Sequence, residues 1–398
     1  MSKWIIGLFS VVLASGAAHA DVAAPAPSAK DLTKAVEKVN YVETDLTGVK
    51  LGGYVDAGYT YNFYNGANKN RSMNDNQNFG DFNVNQIKLT LQKDLSDKNE
   101  WQAGFRADLF LGEDFAFANG SEGSSSDFFL KQAYVTFRAP VGNGLDFKVG
   151  KFASWIGYEM TDRPGNLNIT WSDLFYLTPG DFTGVSAEYR FNDIVDGGLA
   201  VVNGMCLDSN PAGLGAENDG YGVMAKLNFK VPGGNANWQH TIYYSWDSAN
   251  EFLYNDQRDN YRPGFSSSGN EAMYDGIMNW VPKFANGKLL LGATYDLGAI
   301  DGLRDQEGFT FAGTGLYAKY QFTDLFSLAG RGTYVHTTDE LASDLWSITL
   351  TAGFNVAENL TIRTEYRFDL GDDRIMDYSN GITHNSGHTA AVEVVYAF

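Results

Sequence analysis

The chain has 398 residues, and its 48 acidic and 29 basic side chains give a formal net charge of -19 at pH 7, which argues against nucleic acid as a partner because phosphates require basic patches. Its single cysteine, Cys206, excludes a disulfide framework and a cysteine-based zinc site. With 44 Gly, 27 Phe and 22 Tyr but only 19% charged residues, the composition favours one β-rich membrane barrel over several soluble domains.

The first twenty residues have the pattern of a secretory signal. Lys3 supplies the positive start, residues 4–14 the apolar core, and residues 18–20 the small-x-small cleavage site. We therefore predict that residues 1–20 are a signal peptide. Residues 21–49 then form a periplasmic linker, either loosely ordered or carrying a short helix that docks at the barrel mouth or on a periplasmic partner.

From Lys50 onward the sequence predicts sixteen strands, each long enough to cross a bilayer at the tilt of a barrel. In the run from Leu360 to Phe368, for example, mostly apolar residues alternate with polar ones, as expected when one face meets lipid and the other water. The predicted strands span residues 50–63, 82–93, 99–110, 128–138, 143–151, 182–192, 195–204, 219–231, 236–248, 270–281, 285–297, 310–323, 325–337, 344–357, 359–369 and 387–398.

Connection lengths separate a membrane barrel from a soluble sandwich, which alternation alone cannot do. Long connections such as 152–181 and 249–269 alternate with tight turns such as 140–144 and 232–235. This pattern is typical of an outer-membrane barrel with turns in the periplasm and loops outside. We therefore predict an all-β fold: a transmembrane antiparallel up-and-down β-barrel of about 16 strands over residues 50–398, with both termini periplasmic.

The last strand, residues 389–398, has a wholly apolar face and ends on Phe398. A bare edge at this position would promote aggregation, so we expect pairing with the first strand. An apolar terminal strand that ends in Phe resembles the C-terminal signature of bacterial outer-membrane barrels, and this resemblance implies recognition of Phe398 by the barrel assembly machinery.

Several segments resemble the OmpL-like β-barrel porin family. The likeness spans roughly residues 50–398 and implies an outer-membrane channel in a Gram-negative-type envelope, without specifying a solute. The segments that carry it are Gly52–Phe63, Phe128–Val135, Val149–Phe152, Gly157–Glu159 and Thr183–Val185.

The longest connection within the predicted barrel, residues 152–181, is the candidate for a constriction loop. In sixteen-stranded general porins the loop at this position folds into the lumen, and by analogy we expect the same here. Its charged candidates are Glu159, Asp162, Arg163 and Asp173. The alternative is a surface loop that faces outward.

The polar faces of the strands predict a lumen wall that is more basic than the whole chain. One hypothesis is a transverse field, in which loop carboxylates face basic residues of the early strands and so orient dipolar solutes. The alternative is that the wall charges pair with neighbouring strands in a wet interior. The predicted basic wall comprises Lys88, Arg106, Arg138, Lys148, Arg363 and Arg367.

The sequence thus predicts a porin for passive diffusion of small hydrophilic solutes and ions, with outer-membrane lipid as its surroundings. General porins are often trimers, and a homotrimer is one assembly that the lipid-facing surface would support. No catalytic constellation, metal site or cofactor motif is recognised, so we predict that the protein is not an enzyme. Two alternatives stay open: a plugged barrel that acts as a surface adhesin or structural anchor, and, more remotely, an outer-membrane hydrolase.

Overall fold

The computed structural model describes residues 42–43, 48–63, 80–115, 128–203, 220–252, 265–300, 309–338, 344–371 and 386–398. The predicted signal peptide and most of the predicted linker lie outside these residues. Within the described residues, no helix is long and apolar enough to cross a membrane.

Sixteen antiparallel strands form a closed barrel, which confirms the predicted fold class and strand number. A two-residue strand, β1 (Val42–Glu43), precedes them, and one short helix, α1 (Asp173–Leu177), lies between β6 and β7. The barrel strands are β2 (Lys50–Asn62), β3 (Asp81–Lys93), β4 (Gln102–Leu111), β5 (Phe128–Ala139), β6 (Leu145–Ala153), β7 (Asp181–Arg190), β8 (Val195–Asn203), β9 (Tyr221–Lys230), β10 (Ala236–Phe252), β11 (Phe265–Trp280), β12 (Leu289–Ile300), β13 (Phe309–Gln321), β14 (Phe326–Thr337), β15 (Asp344–Ala357), β16 (Leu360–Gly371) and β17 (Ser386–Ala397).

The barrel closes where the last strand pairs with the first, as the apolar terminal strand predicts. The amide of Gly53 donates to the carbonyl of Phe398 at 3.0 Å, and the amide of Phe398 donates back at 2.9 Å. Beyond this point β2 extends further than β17, and Val42 and Glu43 of β1 pair with its first two residues. The edge that β17 leaves uncovered is therefore partly paired, which avoids a row of free backbone groups.

The two faces of the wall differ in polarity as alternation requires. On β15 the apolar residues at 346, 348 and 350 are more than half exposed, whereas Ser347, Thr349 and Thr351 are buried. Because successive side chains of a strand point to opposite faces, the exposed set forms an outer apolar surface and the buried set lines the interior. This is the arrangement of a membrane barrel with a polar lumen.

The connections divide the barrel into two ends, which we call the turn end and the loop end. At the turn end the strands are joined by tight turns, such as that between β15 and β16, where Asn359 adopts the left-handed conformation with φ of 64°. One predicted boundary is wrong: the loop placed at 249–269 is shorter, because β10 and β11 continue to pair up to Phe252 and Phe265. Strand pairing uses the backbone, so the polar residues at these strand ends do not terminate it.

Candidate functional site

The connection between β6 and β7, residues 154–180, lies inside the barrel; we call it the inner loop. It contains a 3-10 turn at Arg163–Gly165 and the helix α1. Asp162 contacts Lys88 on β3, and Glu159 contacts Arg331 on β14, far around the barrel from β3. A loop that reaches the inner faces of such distant strands crosses the lumen.

Asp162 anchors the inner loop to the wall formed by β2 and β3. Its carboxylate accepts a hydrogen bond from the Lys88 ammonium at 2.7 Å and lies 2.9 Å from the Tyr54 hydroxyl. The side-chain amide of Gln86 also donates to the carbonyl of Thr161 at 3.0 Å. Asp162 is one of the loop carboxylates predicted to face the early strands. It contacts Lys88 directly, without a water-filled gap between the two charges.

Arg163 is buried in the inner loop and does not present a free charge to the lumen. Its guanidinium forms an ion pair with Asp114 at 2.5 Å and lies 4.6 Å from the centre of the Trp171 ring. Burial alone would lower the pKa of Arg163, but the carboxylates of Asp114 and Asp56 outweigh this and raise it. Arg163 therefore stays charged and fixes the 3-10 turn against the segment after β4.

Glu365 of β16, a strand separated from β2 only by β17, holds the backbone of the inner loop. Its carboxylate accepts hydrogen bonds from the amides of Ile169 and Thr170, at 2.5 and 3.0 Å, and from the Thr170 hydroxyl at 2.6 Å. Thr351 on β15 donates a further hydrogen bond at 2.7 Å. One buried carboxylate thus satisfies two backbone amides that would otherwise lack partners inside the barrel.

Three arginines bind the inner loop from the same side. Arg331 pairs with Glu159 at 2.6 Å and donates to the carbonyl of Thr170. Arg363 donates to the carbonyls of Asn166 and Arg163 at 2.7 and 3.1 Å.

The third of these arginines, Arg367, donates to the carbonyl of Trp171 and lies 3.4 Å from Asp173. The side chains of Arg331 and Arg367 are 0% exposed and that of Arg363 is 9% exposed. Arg363 and Arg367, predicted to line the pore, are on the inner face but are covered by the inner loop.

An apolar contact seats the first residues of the inner loop against the wall. Trp155 and Ile156 pack in a buried cluster with wall residues of the inner face. The carbonyl of Trp155 accepts hydrogen bonds from Gln239 at 2.8 Å and Thr241 at 3.2 Å. The wall members of this cluster are Phe152, Phe182, Ala200, Val202, Met224, Tyr243, Met273 and Phe311.

The remaining predicted wall cations pair with carboxylates of their own or neighbouring strands. Arg106 contacts Asp108 at 2.9 Å and Arg138 contacts Asp146 at 2.6 Å. Lys148 contacts Glu188 at 2.8 Å. Pairing between neighbouring strands is the alternative to a transverse field that the sequence left open. These three cations are therefore paired along the wall and do not form a row of free charges opposite the loop carboxylates.

The inner face of β4–β9, which we call the accessible wall, keeps part of its charges in contact with solvent, toward the turn end. Nearer the loop end Trp155 covers β6–β9, and Asp108 and Lys131 are buried.

The side chains of Lys148, Glu188 and Arg106 are 31%, 29% and 20% exposed. Near the turn end, Asp196 and Lys230 are 24% and 29% exposed. In contrast, the charges in the middle of β14, β16 and β17 are buried, so water reaches the lumen wall unevenly.

Sequence reasoning missed Asp114, and it placed Arg331 and Glu365 on the lumen face without predicting that they hold the inner loop. The apolar cluster under Trp155 did leave a signal. Met224 and Met273 stand at inward-facing positions where a water-filled lumen favours polar residues. Such breaks in the alternation of β9 and β11 indicate that something covers the wall there.

Two buried carboxylates lie opposite each other near the middle of the inner loop. Asp275 on β11 and Asp296 on β12 are register partners, and each is at most 1% exposed. The amide of Gly157 donates to Asp275 at 3.2 Å, while one oxygen of each carboxylate has no hydrogen-bond partner. Within the described residues, no group of three or more His, Cys, Asp or Glu side chains is arranged to hold a metal ion.

Comparisons with known proteins agree with this architecture. Residues 48–398 match the model of a family described as "Putative beta-barrel porin-2, OmpL-like". No curated protein matches the sequence.

Solved structures with a similar fold include the outer-membrane channel DcaP of Acinetobacter baumannii, at 10% identity and a TM-score of 0.58, covering 89% of this chain and 99% of that one. An anion-selective porin from Comamonas acidovorans is 12% identical with a TM-score of 0.57, covering 88% and 99%. A trimer form of OmpT from Vibrio cholerae is 10% identical with a TM-score of 0.55, covering 88% and 99%. At such identities the likeness concerns the fold.

Proposed function

Since the chain belongs to the OmpL-like β-barrel porins of the outer membrane, we propose that it mediates passive diffusion of small hydrophilic solutes and ions along the accessible wall of its lumen. No chemical step is involved. Selectivity is set by the width that the inner loop leaves and by the charges beside the path.

The uneven exposure of the wall charges is the observation that carries this proposal. A solute that crosses the barrel exchanges part of its hydration shell for polar groups of the wall. Lys148 and Glu188, at about 30% exposure, remain available for that exchange, whereas Arg331 and Arg367 are engaged by the inner loop. The path therefore runs beside the part of β4–β9 that stays uncovered, between the apolar cluster at Trp155 and the turn end.

The pairing of the accessible charges suits diffusion rather than tight binding. Arg138 with Asp146 and Lys230 with Asp196 form ion pairs across adjacent strands. Paired charges keep the wall wet without creating an isolated charge that would trap a counter-ion. Ions and small polar molecules can then enter and leave quickly.

We further propose the usual orientation, with the turn end and both termini in the periplasm after residues 1–20 are removed. The long connections then face the outside, and Phe398 is read by the barrel assembly machinery from the periplasmic side. A cysteine introduced at Phe284, which lies at the turn end and is 77% exposed, should resist a membrane-impermeant thiol reagent in intact cells and react after lysis. Native Cys206 is replaced by Ser first. Labelling of the new cysteine in intact cells would contradict this orientation and place the turn end outside the cell.

A homotrimer is the assembly we propose, since a solved neighbour is described in a trimer form. An outward-facing chain of hydrogen bonds supports a protein contact: His240 lies 2.8 Å from the Tyr274 hydroxyl, which lies 2.8 Å from that of Tyr295. Polar groups on a lipid-facing surface are better covered by protein than by hydrocarbon. Native mass spectrometry in mild detergent should give three chains, and a monomer would contradict the proposal.

The test of the diffusion function is single-channel recording of the purified, folded protein in a planar bilayer. We expect steady, ohmic channels of low conductance, because the inner loop occupies much of the cross-section. Folded protein without conductance would contradict the proposal and favour a plugged barrel that serves as a surface adhesin or anchor.

A further inference from the structure

Glu188, in the middle of the accessible wall, is bound by two ammonium groups. Lys148 on β6 contacts one carboxylate oxygen at 2.8 Å, and Lys226 on β9 contacts the other at 2.7 Å. Two cations share one anion, so this triad carries one net positive charge. The excess charge is a property of the triad itself.

The two lysines of the triad are held in place by aromatic faces. The Lys226 ammonium lies 4.3 Å from the centre of the Trp155 ring of the inner loop, and the Lys148 ammonium lies 5.7 Å from that of Tyr134. A cation over an aromatic face is attracted to the ring's negative centre. Because Trp155 belongs to the inner loop, the triad stands where the loop meets the accessible wall.

Several other charges near the path are balanced. Arg138 pairs with Asp146, and Lys230 pairs with Asp196. On β3 and β4, Lys88 and Arg106 are matched by Asp108 and by Asp162 of the inner loop.

The other two loop carboxylates considered above, Glu159 and Asp173, are likewise compensated by Arg331 and Arg367. The negative net charge of the whole chain therefore does not give this part of the lumen a negative charge.

Among the described charges of β4–β9, two groups carry an excess cation: this triad, and Asp181, which is shared by Lys131 at 3.0 Å and Lys151 at 3.3 Å nearer the loop end. Lys131 and Lys151 are 6% and 15% exposed, whereas Lys148 is 31% exposed, so the triad is the group that is more open to solvent.

We propose that Lys148, Glu188 and Lys226 form a selectivity site that favours small anions, inorganic or carboxylate, over cations of the same size. This inference rests on the diffusion function proposed above. A net positive charge beside a narrow, partly dehydrated path raises the local concentration of anions and lowers that of cations. Glu188 moderates the attraction, because its carboxylate competes with the passing anion for both ammonium groups and so allows release.

The sign of selectivity is measured as the reversal potential of single channels in a gradient of potassium chloride, and again in potassium acetate. We expect the unchanged protein to pass chloride several-fold better than potassium. Lys226→Met removes the excess charge of the triad and should lower the ratio several-fold, although the excess charge shared by Lys131, Lys151 and Asp181 remains. Glu188→Gln leaves two ammonium groups unopposed and should raise the ratio above that of the unchanged protein.

Lys230→Met is the matched control. Lys230 is on the same strand and the same face as Lys226, four residues nearer the turn end, and the substitution changes the charge equally. Because Lys230 pairs with Asp196 and is not bordered by Trp155, the effect of this substitution on the ratio should be several-fold smaller. Each variant is first shown to be folded by its heat-dependent mobility in detergent electrophoresis.

The outcomes separate the two proposals. Channels that prefer potassium, or equal effects of Lys226→Met and Lys230→Met, would overturn the selectivity site and leave the diffusion function standing. Chloride preference with no acetate current would restrict the site to inorganic anions and overturn the carboxylate class. Folded protein without any channel would overturn both.

Discussion

Glu365 on β16 accepts two hydrogen bonds from Thr170 of the inner loop, one from the amide at 3.0 Å and one from the hydroxyl at 2.6 Å. These residues are 195 positions apart in the chain. The contact fixes the middle of the inner loop against the wall opposite the accessible one, and so it sets how much of the lumen stays open.

Replacing Glu365 by Ala should release the inner loop. The amides of Ile169 and Thr170 would lose their acceptor, at a cost of about 1–3 kcal/mol for each buried group left unsatisfied. We expect channels with larger and noisier conductance than those of the unchanged protein. Glu358→Gln, which also removes one negative charge but lies in the turn before β16, is the control, and identical conductance of the two variants would contradict this role of Glu365.

Replacing Arg163 by Met should destabilise the folded protein strongly. Asp114 would keep its buried charge without its main partner, and breaking a buried ion pair in this way costs about 3–5 kcal/mol. The double variant Arg163→Met with Asp114→Asn should recover much of the loss, because the uncompensated charge is removed as well. A double-mutant cycle on the free energy of unfolding measures the coupling, and additive effects would show that the pair does not act as a unit.

Replacing Asp296 by Asn should stabilise the barrel. Asp275 and Asp296 face each other from adjacent strands, and each has a buried oxygen without a partner. An amide at 296 removes one of two facing carboxyl groups and adds a donor, which we expect to raise the melting temperature by a few degrees. Asp324→Asn, in a turn, serves as control, and an equal or lower melting temperature for Asp296→Asn would contradict the expectation.

Replacing Gly53 by Val should impair closure of the barrel. A Cβ atom at this position would lie 2.1 Å from the carbonyl oxygen of Lys88 and 3.0 Å from the ring of Phe398. We therefore expect a several-fold lower yield of folded protein in refolding experiments. Gly332→Val on β14, where a Cβ atom would meet nothing within 4 Å, should fold like the unchanged protein, and similar yields for both variants would show that the close approach at Gly53 is not limiting.

The strands could be predicted from the sequence because their determinants are local. Alternation and turn residues act over a few positions, so even the inward orientation of Arg106 or Glu365 follows from counting along a strand. The partners could not be predicted in the same way. Arg331 and Glu159 are 172 residues apart, and their contact depends on where the inner loop crosses the lumen.

Two strands whose sequences alternate poorly between polar and apolar residues are the most informative about the inner loop. Residues 195–204 and 270–281 contain inward apolar side chains such as Ala200 and Met273, which fit poorly with a wet wall. They are explained by the apolar cluster beneath Trp155. An irregular strand in a predicted barrel can therefore mark the place where a loop is seated inside.

The inner loop also has a mechanical consequence. A barrel wall is held by hydrogen bonds around its circumference, which resist stretching but allow the cross-section to flatten. Asp162 on Lys88, Thr170 on Glu365 and Gly157 on Asp275 tie β3, β16 and β11 to one segment. These contacts resist flattening of the barrel. A change in the shape of the barrel cross-section would therefore also change the width of the opening beside β4–β9.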